Sequence, residues 1–166
     1  MNRRLILIIV GITAALAVVI LLTAALVPEQ LHPAFAAAVA FANAAGQGDD
    51  ATAFALLGPE LQAYVRANCP DGSVSACVNA YTPPEWGDLL AAVYRRAAPD
   101  GPDAWDVNLV ATYAEGVGFS GVCIYTRTEQ IAPEDWRIVE WAGYIHCGDG
   151  RSRNMATNPE TPHRAP

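Results

Sequence analysis

The sequence predicts an α+β protein: an N-terminal transmembrane helix, then helices packed on an antiparallel sheet. Three observations lead there. Residues 5–27 carry no charge. From Pro33 to Ala97 apolar residues recur at helical spacing. From Val107 onward they alternate with period two. Helices first and strands second is the order expected when helices cover one face of an antiparallel sheet.

The apolar run has only Thr13 and Thr23 as polar side chains. As a helix it would extend ~34 Å, enough for a hydrocarbon core of about 30 Å. A cleaved signal peptide usually has a shorter apolar region and ends at a small-x-small site. Leu26-Val27-Pro28-Glu29 offers no such site, so an uncleaved anchor is expected. Arg3 and Arg4 precede the run, and the next arginine is Arg66. The positive-inside rule then gives a cytoplasmic stub at 1–4 and a membrane helix at 5–27. A linker at 28–32 and an extracytoplasmic domain at 33–148 follow. Residues 149–166 are polar and proline-rich, and a disordered tail is expected there.

Net charge is −7 for the whole chain, and −9 without Arg3 and Arg4. An acidic domain repels phosphate backbones, which excludes nucleic acid as a natural partner. Every basic side chain apart from histidine is arginine; there is no lysine.

Pro33 suits a first helical turn, and Phe35, Val39, Ala42 and Ala45 share a face. Gly46 and Gly48 end that helix. Asp49 or Asp50 caps a short second helix with Phe54 and Leu57. Gly58-Pro59 restarts it, with Leu61, Tyr64, Val65 and Asn68 in phase. Cys69 and Cys77 flank a Pro-Asp-Gly turn. Outside the cytoplasm this predicts a disulfide-closed loop. Thr82-Pro83-Pro84-Glu85 reads as a helix start, and Trp86, Leu89, Leu90, Val93 and Ala97 as the stripe of that helix. Pro99-Asp100-Gly101-Pro102 stops it. Three strands complete the chain as a meander. The first carries Val107, Leu109, Ala111 and Tyr113 on one face. The second runs from Phe119 to Thr128, and the third from Trp136 to Cys147.

An Ala-rich helix reading AFAAAVAFANAAGQGDDATAFALL, a further helix and a late strand entered through EDWRIVEW follow the anchor. That order resembles the nuclear transport factor and ketosteroid isomerase-like superfamily over residues 33–147. The matching pieces are Gly48-Asp49-Asp50 between the first helices and Asp135-Trp136-Arg137-Ile138 entering a strand. The resemblance implies a curved, cone-like sheet with a pocket between it and the helices. Some members are isomerases or dehydratases; many are anchored outside the cytoplasm. Neither matching piece carries chemistry, and no catalytic residue is carried over.

The four cysteines, Cys69, Cys77, Cys123 and Cys147, allow three pairings. Cys69–Cys77 and Cys123–Cys147 are expected, since one pair spans a turn and the other lies on neighbouring strands. C-x7-C fits no zinc ribbon, so no metal is expected, and no cofactor is implied. Asp49-Asp50 and Glu134-Asp135 lack the spacing of a calcium loop and read as caps and turns. Glu140, Tyr144 and His146 alternate on one face of the last strand, with Trp136. They are the candidates for a general acid and base, with Arg127 as an anion clamp. Tyr64, Trp86, Tyr113, Tyr125, Arg127 and Trp141 are the candidate pocket residues, and Tyr81 belongs with them.

With no catalytic motif, the first functional reading is a non-enzymatic envelope domain, anchored in the cell membrane, that binds a partner protein or ligand. The alternatives are a cone-fold binder of a small apolar molecule and an isomerase- or dehydratase-like enzyme. An exposed apolar surface without a deep cavity would favour the partner protein. An enzyme would require Glu140 or His146 to point into a cavity.

Overall fold

The computed structural model describes residues 9, 11–18, 32–80, 82–115 and 122–146, with side chains described up to residue 142. The chain divides into two compact units, Met1–Gln30 and Leu31–Pro166. In the first, residues 11–18 are helical, and every described side chain is exposed. Among the described residues no helix is long and apolar enough to cross a membrane. Most of the expected span at 5–27 lies outside them, as do Tyr81, Cys147 and the expected tail.

The second unit is α+β. Helices α1 (Pro33–Gln47), α2 (Asp50–Ala55), α3 (Pro59–Asn68) and α4 (Val74–Asn79) precede strands β1 (Leu89–Pro99), β2 (Ala104–Tyr113), β3 (Val122–Ala132) and β4 (Asp135–His146). The strands form one antiparallel sheet in the order β1-β2-β3-β4.

The helix boundaries follow from their capping chemistry. Pro33 opens α1, and the His32 ring nitrogen accepts the Ala34 N–H at 3.3 Å. Gly48, at φ 84°, closes it in the left-handed region. Asp49 then caps α2 by accepting the Thr52 N–H at 3.1 Å. Asp50 is not the cap. Its carboxylate reaches forward to the Ser73 hydroxyl at 2.6 Å and the Ser75 N–H at 2.8 Å, fixing the start of α4. Cys69 and Cys77 are disulfide-bonded across that turn.

The segment from Thr82 to Ala97 departs from expectation. Its helix lasts one 3-10 turn, Pro84–Trp86. Gly87 then takes φ 68° and ψ −160°, which breaks any helix, and the chain leaves as β1. Leu89, Leu90 and Val93 fit a helical stripe equally well by spacing. Pairing along almost the whole length of β2 decides for a strand. The meander therefore has four strands.

One face of the sheet packs under α1. Val107, Leu109, Ile138, Trp141 and Ala92 join Phe41, Ala38, Ala45 and Val65 in the main core. The Phe41 and Trp141 rings lie 5.4 Å apart. Near the start of α1, Phe35 stacks on Tyr94 at 5.0 Å, and His32 meets Trp105 and Trp136. Both Trp136 and Trp141 thus face the helices, although five positions separate them. A register shift opposite Arg127 and Thr128 supplies the missing half-period. It also moves Glu140 to the other face, so Trp136 and Glu140 do not share one as the plain alternation predicts.

The sheet's outer strands are partly closed off by the helical layer. On β1, the Ala92 N–H donates to Asn43 Oδ1 at 2.8 Å, and the Asn43 amide donates to the Ala92 carbonyl at 2.8 Å. On β4, the Gly58 N–H donates to the Ile138 carbonyl at 2.8 Å, and the Ile138 N–H to the Leu56 carbonyl at 2.9 Å. Leu57 makes a parallel bridge there. A side chain on Gly58 would sit 3.1 Å from Val139 Cγ1, so a glycine suits this approach.

Candidate functional site

Three places bring functional groups together. The first lies on the sheet face turned away from the helices. Cross-strand pairing sets Asp106, Arg127 and Glu140 in one row and Asn108, Tyr125 and Ala142 in the next. The Tyr125 hydroxyl donates to Asp106 Oδ1 at 2.5 Å. Arg127 pairs with Asp100 in the β1–β2 turn and with Glu129 at 2.9 Å. Burial pushes the Asp106 carboxyl above its ordinary range, against the opposing pull of the Tyr125 hydroxyl and Arg127. Burial, together with the bond to Asp106, raises the Tyr125 phenol as well. Burial acts to lower Arg127, but Asp100 and Glu129 outweigh it and raise its pKa.

Tyr125 is bound to Asp106 and Arg127 to Asp100 and Glu129, which suits a structural role, while Asn108 Oδ1 is buried without a hydrogen-bond partner among the described residues. The sign of the cluster's pH effect is definite. A carboxyl raised on folding binds its proton more tightly in the folded state. Stability therefore falls as pH rises from its ordinary value through the raised one. Asp106→Asn keeps an acceptor for Tyr125 and removes the half-buried charge. It is expected to melt slightly above the native protein at pH 7 and equally at pH 3. A lower melting temperature at pH 7 would show that attraction to Arg127 outweighs burial.

The second place is an open groove of about 610 Å³ between the start of α1, helix α2 and the β3–β4 turn. Its lining is Pro33, Ala37, Ala51, Thr52, Ala55, Leu56 and residues 134–137. The floor is small and apolar. Trp136 closes one side, and Asp135 and Arg137 are paired at 2.5 Å on the rim. Glu134 sits at φ 62° in the turn, exposed, with no ion pair among the described residues.

The third is a pocket of about 250 Å³ at the opposite end of α1, beside the start of β1. Gly46, Gln47, Gly48, Asn79 and Asp88 line it together with Tyr113.

The candidates read from sequence do not converge. Glu140 lies on the outer face and lines neither cavity. The side chains of Tyr144 and His146 fall outside the described residues. Trp86 packs on Tyr113 at 5.1 Å, and Tyr113 lines the third pocket. Tyr125 and Arg127 belong to the outer face, Trp141 to the core and Tyr64 to a half-buried position on α3. Cys123 is disulfide-bonded, with Arg95 3.3 Å from its sulfur.

No three of His, Cys, Asp and Glu gather as metal ligands among the described residues. Three of the four carboxylates in the acidic pairs are engaged within the domain: Asp49 as a cap, Asp50 on Ser73 and Ser75, and Asp135 in the pair with Arg137. Hydrogen bonds from Thr52 hold the Asp49 carboxyl below its ordinary range. Burial acts to raise Asp50, but bonds from Ser73 and Ser75 outweigh it and lower its pKa.

Sequence reasoning missed the groove because alanines and a turn carry no chemical signature. It missed the pocket because Gln47, Asn79 and Asp88 are scattered over three elements. No family model, no curated protein and no solved structure matches this chain.

Proposed function

We propose that the chain is a single-pass membrane protein whose extracytoplasmic α+β domain binds an envelope protein through the groove at the start of α1. The observation that carries the reading is the groove itself: wide, open, apolar on its floor and charged at its lip. Such a surface suits a protein segment better than a small molecule, which needs enclosure. Leu90, Val93 and Tyr94 of β1 add further exposed apolar surface.

The anchor supports the same reading. Ile12, Leu16 and Val18 are each more than half exposed on the helical stretch at 11–18, as an apolar solvent would require. Thr13 donates its hydroxyl to the Ile9 carbonyl at 2.7 Å, leaving no polar group unsatisfied by that side chain. The orientation from Arg3 and Arg4 puts the domain outside the cytoplasm. Pro33 follows the apolar run by six residues, at most about 20 Å of extended chain. The partner is therefore a membrane-associated protein. Its docking segment is apolar and carries a lysine or arginine to meet Glu134. The cone-like superfamily is a compatible frame for such a domain.

The test places a photo-crosslinking side chain at Ala55 in the full chain in its native membrane, with Glu85 as the control site. One discrete adduct from Ala55 is expected, through an apolar, basic segment of a membrane protein, and lost in Ala51→Arg. Equal labelling from both sites, or an adduct that survives Ala51→Arg, would overturn the groove. Release of the native chain by alkaline carbonate would separately overturn the anchor.

A further inference from the structure

We propose that the pocket at the C-terminal end of α1 binds a small organic ammonium ion. Among the described residues its one ionised lining side chain and the helix ends on its wall are all negative. Gly46, Gln47 and Gly48 are the last turn and cap of a 15-residue helix, where unpaired carbonyls concentrate the negative end of the helix dipole. No basic residue sits in that last turn to offset it. Asp88 adds a carboxylate, and no arginine is among the described residues that line the pocket. Anions are therefore repelled.

Three polar side chains of the lining are uncommitted among the described residues. The side chains of Gln47, Asn79 and Asp88 make no hydrogen bond or ion pair with another described residue. An ammonium group has three donors and no acceptor. The carboxylate and the two amide oxygens supply three acceptors. Tyr113, backed by Trp86 at 5.1 Å, offers an aromatic surface to a cation or to its carbon chain. Val78 and Leu89 take the methylenes. The volume, about 250 Å³, equals that of about eight liquid waters and admits a chain of a few carbons. Gly46 keeps the wall thin. A Cβ there would lie 2.1 Å from Leu89 Cδ2, so a larger residue would displace the Leu89 side chain.

The pocket and the groove lie at opposite ends of α1, about 20 Å apart by helix rise, so the two sites can be tested independently. The probe is putrescine, titrated into the ¹⁵N-labelled full chain in neutral detergent micelles. Butane-1,4-diol serves as its uncharged counterpart. Putrescine should shift the amide signals of Gln47, Gly48, Asn79 and Asp88 first, and added salt should weaken it. The diol should leave them unmoved. Asp88→Asn removes the charge from an exposed side chain with no partner to lose among the described residues. It should keep the native melting temperature and cut affinity at least tenfold, and Asn79→Ala should cut it several-fold. Shifts spread evenly over the acidic surface would overturn the site. Equal or tighter binding of the diol would overturn the ligand's charge, and unchanged affinity in Asp88→Asn would overturn the carboxylate's role.

Discussion

Asn43→Leu is expected to destabilise the domain by about 3 kcal/mol, the largest effect of any single polar substitution considered. Leucine nearly matches asparagine in shape, so the loss is not one of packing. It removes two hydrogen bonds to Ala92, whose residue is only 2% exposed. Both backbone groups are then left without partners in a place water reaches poorly, at about 1–3 kcal/mol each before relaxation. The melting temperature of the purified full chain in detergent should fall by roughly 10 °C. Asn43→Asp separates the two halves of the contact. It keeps an acceptor for the Ala92 N–H and loses the donors to the Ala92 and Val39 carbonyls. A smaller fall than for leucine is expected. A fall of only a degree or two in Asn43→Leu would mean that Ala92 finds other partners.

Replacing Cys69 and Cys77 together by serine should cost about 2.5 kcal/mol by the chain-entropy relation for so short a loop. Both residues are buried, at 7% and 3% exposure, so the serines also bring two hydroxyls into an apolar setting. The loop holds Ser73 and Ser75 against Asp50, and its release should loosen the start of α4. Asp50→Asn on top of the double serine variant should then add less than it does in the native protein, because the same loop is already free. Melting of the double serine variant at the native temperature would remove the disulfide from the account of stability.

The helical half of the domain was legible wherever a capping residue punctuated it. Pro33, Gly48, Asp49 and Gly58 each mark a boundary through a local bond or a backbone angle, and these act over four residues or fewer; the helix Val74–Asn79 behind Ser73 was read only as a closed loop. Leu89 to Pro99 was not legible, because its leucines and valine satisfy both periods. The deciding partner, β2, lies later in the chain. The slip in β4 was invisible for a related reason. Nothing in Ile138-Val139-Glu140 announces an extra residue, yet the tryptophans on either side can both reach α1 only through it.

The candidate sites were less legible still. Their substance is alanine methyls, helix-end carbonyls and side chains without internal partners. Sequence reasoning instead selected residues with conspicuous chemistry, and these went to the core or to the self-contained cluster around Arg127.

The contacts to Ala92 and Ile138 have a consequence under the proposed membrane anchoring. A domain tethered in the plane of a bilayer meets its own copies at high local concentration, as linked binding modules do. Sheets with open rims would under those conditions recruit one another into ribbons. Here an asparagine amide occupies one rim and the Leu56–Gly58 segment the other, each from within the same chain. Lateral crowding then raises the encounter rate between neighbours while giving those two backbone positions nothing new to pair with.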